Sequence, residues 1–202
     1  MKYLLFVAII VSNTLYSQTQ MLLLGNTEKL CYQEYFSVIS DSLPDELNQF
    51  KVIYLFSNST SQFDKLDIKN IIQFLESGGG LYIGSENWPL QAESNQITQE
   101  LYKKESYGEY DKTSARTSNQ KGNLQLNTIS EIPAGKSTVA FPLDYRLTVE
   151  AWIDDQPLIL SGEYGNGRII IDGGYSRFYC ENRTEICDEM FLKFTKYLQL
   201  SN

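Results

Sequence analysis

Through the first half of the chain, short unbroken apolar runs alternate with amphipathic stretches. Residues 21–24 are apolar and stop at Gly25 and Asn26. Residues 51–56 repeat the pattern before a polar loop at 57–61, and residues 81–84 repeat it again. The segments between them carry helical spacing. Thr27 can cap a helix over residues 28–40 that buries Leu30, Tyr35, Phe36 and Ile39 and ends at Leu43-Pro44. Asp64 caps a second, in which Ile68, Ile71, Ile72 and Leu75 follow i, i+3, i+4, i+7 spacing, with Gly78 as its left-handed stop. Continuous apolar strands need cover on both sides, and amphipathic helices supply it. The pattern therefore predicts an α/β fold, a mostly parallel sheet with helices on both faces.

After Trp88-Pro89 the pattern changes. Residues 96–104 read as a helix with Ile97 and Leu101 inward. Residues 106–127 are polar and read as an exposed excursion or mobile loop. Residues 138–141 and 146–153 are strand-like. Residues 157–161 and 168–172 flank a glycine-bounded loop whose Asn166-Gly167 pair predicts an antiparallel hairpin near the C-terminus. The last helix, from about residue 186, places Met190, Phe191, Phe194, Tyr197 and Leu198 on one face. With no repeat and no linker, residues 18–202 read as a single domain.

Residues 1–17 read as a signal peptide. Lys2 provides a positive start, residues 3–11 are apolar, and residues 12–17 are polar with a small residue at the end. The expected cut is between Ser17 and Gln18. The apolar run amounts to about 14 Å of helix at 1.5 Å per residue, short of a ~30 Å bilayer core, so no membrane span is expected. The other reading is a buried first strand. Export places the chain in the periplasm, at the cell surface or outside the cell, and the Ser17-Gln18 ending resembles that of Bacteroidetes-type signals. Three cysteines in an exported chain suggest one disulfide. Cys180 and Cys187 are the expected pair and Cys31 a buried thiol, with pairing of Cys31 to either left open.

The 202 residues hold 17 Lys+Arg against 25 Asp+Glu, a net charge of −8, and no histidine. That excludes Ser-His-Asp and Cys-His nucleophile systems and imidazole-ligated zinc within the chain. The acidic balance argues against a nucleic-acid surface. No cofactor is expected.

Ligands of open parallel sheets lie beyond the carboxyl ends of the strands, which here means residues 25–27, 57–61, 84–88 and 172–177. Residues 78–87, Gly-Gly-Gly-Leu-Tyr-Ile-Gly-Ser-Glu-Asn, resemble the segment leading into the nucleophile elbow of the class I glutamine amidotransferase-like fold. This flavodoxin-like group includes amidotransferases, trehalose-utilisation-type proteins and non-catalytic relatives. On that resemblance Ser85 falls where the amidotransferases carry their cysteine. Residues 167–175, Gly-Arg-Ile-Ile-Ile-Asp-Gly-Gly-Tyr, resemble the strand that precedes the catalytic histidine, with Gly174 or Tyr175 in its place. Both positions depart from the pattern, which implies a catalytically degenerate member.

Free serine needs an adjacent base, and only Lys, Glu or Asp are available to Ser85. A hydrolase using Ser85 with a non-histidine base is thus the alternative to Ser85 merely bonding a turn. Glu86, Asn87 and Asp172, with Trp88 and Tyr175 beside them and Asn26 and Arg177 at neighbouring strand ends, suit a sugar: polar groups for hydroxyls and an aromatic face for the ring. Oxygen ligands could equally hold Ca²⁺, or satisfy backbone groups. The expected role is non-catalytic: binding a small ligand, or assembly with an envelope protein. A docking module, like the related domain of intraflagellar-transport proteins, is a further reading. A hydrolase requires Ser85 in an open pocket within reach of a base.

Overall fold

The computed structural model describes residues 20–59 and 63–200, so the expected leader at 1–17 lies outside the described residues. In chain order the strands and helices are β1 (Met21–Gly25), β2 (Val38–Ser40), β3 (Val52–Phe56), α1 (Lys65–Glu76), β4 (Gly80–Gly84) and α2 (Ala92–Tyr102). They continue with β5 (Tyr107–Tyr110), β6 (Ser114–Thr117), β7 (Glu131–Pro133), β8 (Thr138–Ala140), β9 (Leu147–Ile153), β10 (Gln156–Tyr164), β11 (Gly167–Asp172) and α3 (Glu185–Gln199). Nine strands form one sheet in the order β2-β1-β3-β4-β11-β10-β9-β6-β7, and β5 pairs with β8 separately.

This corrects the expected sheet. Pairings from β2 to β11 are parallel, but every pairing from β11 through β10, β9 and β6 to β7 is antiparallel. Only three α-helices are present among the described residues. A mostly parallel sheet covered by helices on both faces is not what forms. The antiparallel strands are joined by turns and loops, not by crossover helices, and part of their cover is a loop that buries Leu124 and Leu126. Residues 106–127 are accordingly no excursion: they contain β5 and β6 and bury Ala115 as well. The hairpin around Asn166-Gly167 joins β10 to β11.

Alternation along the strands divides the core. Tyr54 and Phe56 of β3 join α3's Met190, Phe191 and Phe194 in one cluster, whereas Ile53 and Leu55 join α1's Ile71, Phe74 and Leu75 and α2's Ile97 in another. The start of α1 is fixed by a capping box. Asp64 Oδ1 accepts from the N–H groups of Leu66 (2.6 Å) and Asp67 (2.9 Å), and Asp67 Oδ2 accepts from Asp64 N–H (3.0 Å). At its end Gly78 has φ +102°, a conformation open to glycine. The second helix starts at Ala92, before the expected residue 96.

Residues 28–40 do not form the expected helix. A 3-10 turn at Gln33–Tyr35 is followed by β2, which pairs in parallel with β1. The backbone groups that a helix would use go elsewhere: Cys31 N–H donates to Phe178 O (3.2 Å) and Ser37 N–H to Met21 O (3.0 Å). Ile39, expected inside, is 46% exposed. The same docking corrects the disulfide. Leu30 and Tyr179 form a β-bridge, which sets Cys31 and Cys180 at a Cα separation of 4.5 Å, and these two are bonded. Cys187 is free and buried in the first turn of α3, where Thr184 caps its N–H at 3.2 Å. Among the described residues no helix is long and apolar enough to cross a membrane.

Candidate functional site

Parallel pairing brings four strand ends to one level: Gly25, Phe56, Gly84 and Asp172 lie side by side in register. The segments leaving them therefore meet. Gly84 has no room for a side chain, since a Cβ there would stand 2.9 Å from Tyr175 Cβ. Close packing at the elbow thus depends on that glycine.

Ser85 is wholly buried. Its N–H donates to Asp172 O (2.7 Å), and its Oγ donates to Ser94 Oγ (2.8 Å), which in turn donates to Gln91 O (2.9 Å). A second bond set lies beside it. Ser57 Oγ donates to Glu93 Oε2 (2.9 Å), as does Asn58 N–H (2.7 Å). No lysine or carboxylate hydrogen-bonds Ser85 Oγ among the described residues. Sequence reasoning missed Glu93 and Ser94 because it started the helix too late.

Glu86 is also buried. Its Oε1 accepts from Ser176 N–H (3.0 Å), and Ser137 Oγ stands 3.4 Å from Oε2. Burial pushes its carboxyl above the ordinary range, against the bonds from Ser176. Asp172 is enclosed completely. Its Oδ1 accepts from Gly174 N–H (3.0 Å), and its Oδ2 from Tyr82 OH (2.8 Å) and Arg177 Nη1 (3.1 Å). Burial pushes this carboxyl up as well, opposed chiefly by the charge of Arg177. Arg177 is itself wholly buried; its Nη2 donates to Ala134 O (2.6 Å), while its Nε has no hydrogen-bond partner among the described residues. Tyr175 OH donates to Ser57 O (2.9 Å) and accepts from Asn26 Nδ2 (3.1 Å), which also stands 3.5 Å from Tyr179 OH. Burial raises the Tyr175 phenol far out of its usual range.

The expected residues thus separate into two groups. Ser85, Glu86, Asp172, Tyr175 and Arg177 form a buried polar floor. Trp88 is 70% exposed, whereas Asn26 and Asn87 are half-buried, Asn87 with its N–H on Ser137 O (3.1 Å). Asn87 lines a cleft of about 270 Å³ together with Glu109, Asp111, Lys136 and Ser137. A cavity of about 410 Å³ shares Asp111 and Lys136 with it and reaches Arg177. These walls come from β5 and the turn before β8, regions that the sequence presents as featureless polar stretches. A larger groove, about 710 Å³, lies elsewhere, over Leu147, Val149 and Trp152 of β9. Among the described residues no group of three or more Asp, Glu, Cys or His is placed to hold a metal ion. The oxygens of Glu86 and Asp172 already meet protein donors.

No family model matches this chain, and no curated protein matches it. Solved structures do. A cytoplasmic protein of Salmonella typhimurium superposes with a TM-score of 0.65 at 13% identity, covering 89% of this chain and 98% of its own. A putative ThuA-like protein of Bacteroides uniformis gives 0.60 at 14%, covering 90% and 91%. The N-terminal domain of IFT52 gives 0.63 at 10%, covering 91% and 99%. At such identities the likeness shows the fold alone, which is the class I glutamine amidotransferase-like fold of the ThuA-like proteins.

Proposed function

We propose that this chain is an exported, catalytically degenerate domain of that fold, and that it binds a small polyhydroxylated ligand, a sugar, in the cleft beside Asn87 and Trp88. One observation carries the reading: Asn87 lines a polar cleft, and the residue that follows it, Trp88, is exposed. A flat exposed indole stacks on a sugar ring, and the neighbouring amide, carboxylates, hydroxyls and ammonium group pair with ring hydroxyls. Burial of Ser85, with its hydroxyl bonded to Ser94, speaks against the hydrolase, since neither substrate nor base can reach the oxygen.

The test is calorimetry and tryptophan fluorescence of the purified chain against a panel of neutral and anionic mono- and oligosaccharides. Binding by at least one is expected. Trp88→Ala and Asn87→Ala should weaken it about tenfold, roughly 1.4 kcal/mol. Both are surface changes whose cost in stability should stay within about 0.5 kcal/mol. Absence of binding across the panel would discard the sugar reading in favour of docking on an envelope protein. N-terminal sequencing of the exported chain should begin at Gln18.

A further inference from the structure

The cavity at Arg177 is framed in a way the sugar reading alone does not explain. A guanidinium has five N–H donors and no acceptor, and a buried donor without a partner is costly. Among the described residues Arg177 Nε is the one cationic nitrogen that is buried with no hydrogen bond, and Arg177 lines this cavity. Two more cations line it, Lys112 and Lys136. Their ammonium groups pair with half-exposed carboxylates, Asp154 at 3.5 Å and Glu181 respectively. Exposed pairs of this kind are weak, so both lysines can turn to a stronger partner. Asp111 is the single acid among the lining residues, and it suits a hydroxyl and not an anion.

We infer that this cavity is an oxyanion subsite, and that the ligand is an anionic sugar. Its ring lies in the cleft beside Asn87, and its carboxylate, sulfate or phosphate group sits over Arg177 between Lys112 and Lys136. The two spaces share Asp111 and Lys136, so one molecule can occupy both. In a chain of net charge −8 the attraction is local: Arg177 already answers Asp172 at 3.1 Å, so its unpartnered Nε and the two lysines supply it, and not the overall field. The inference rests on the sugar reading above and adds the charge of the ligand.

Calorimetry with glucuronate, a glucose phosphate, a glucose sulfate, glucose, and inorganic phosphate and sulfate tests it. At least one anionic sugar should bind about tenfold tighter than glucose. Substituting Lys112→Gln and Lys136→Gln together, both half-exposed, should lower that ratio about tenfold without loss of fold. Arg177→Lys, if it folds, should do the same, but the lysine pair decides the matter independently. Equal affinity for glucose and the anionic sugars, unchanged in the double variant, overturns the oxyanion subsite and leaves the sugar reading intact. Binding of phosphate or sulfate with no sugar bound overturns the anionic sugar together with the sugar reading. Silence from every probe overturns both.

Discussion

A carboxylate without access to water must find its donors among the groups that touch it. Asp172 does so with Tyr82, Gly174 N–H and Arg177, and Arg177 in turn makes its ion pair with Asp172. Removing one partner strands the other, which is the costly event, and not the loss of the pair as such. Asp172→Ala should therefore cost about 3–5 kcal/mol in urea unfolding. Ser85→Ala should cost only about 0.5–1.5 kcal/mol, the loss of one buried hydrogen bond, since Ser94 keeps its bond to Gln91 O. Asp172→Leu combined with Arg177→Met should recover much of the Asp172→Ala loss. Equal losses from Asp172→Ala and Ser85→Ala would show that the pair does not form. The residues of this floor were legible in the sequence, because strand ends in parallel register must converge. Their burial was not, since it depends on β5, β8 and the turn at Lys136 closing over them.

At the scale of elements, the covalent link between Cys31 and Cys180 ties the loop after β1 to the segment after β11, across a sequence separation of 149. Closing so long a loop restricts the unfolded chain strongly, and Cys31→Ser should lower stability by about 2–5 kcal/mol. A non-reducing peptide map should join the Cys31 and Cys180 peptides, with Cys187 alkylated only after denaturation. A Cys180–Cys187 peptide would instead restore the pairing that sequence spacing suggests. Spacing misled for a physical reason. Proximity in a fold is set by strand order, and here β1 and β11 lie on either side of β3 and β4, so their trailing segments meet. The same override removed the helix at 28–40: its periodicity was real, but β1 offered Val38 and Ile39 a strand partner. By contrast α1 and α3 were readable, because each carries its own cap and an apolar stripe that no neighbour contradicts.

The whole molecule is a parallel half and an antiparallel half sharing one strand, β11. β11 lies parallel to β4 on one side and antiparallel to β10 on the other, so the seam is hydrogen-bonded along its length. Both core clusters also cross it. Tyr82, Ile170, Ile159 and Ile153 belong to one, and Ile83, Ile171 and Leu160 to the other. A boundary with buried apolar contacts on both faces and a continuous ladder offers no cheap place to come apart, and exposing either half would strip the other's cover. The two halves should therefore unfold together. The chain's two tryptophans make this measurable, since Trp152 lies on β9 and Trp88 in the loop after β4. In Trp88→Phe, fluorescence of Trp152 reports the antiparallel half, while circular dichroism reports α1, α2 and α3. Both signals should share one urea midpoint. Leu160→Ala, at the seam and fully buried, should move both midpoints together by an amount equivalent to about 2–5 kcal/mol. Separate midpoints, or a shift in Trp152 fluorescence alone, would mean that the antiparallel strands are an appended layer and not part of one cooperative core.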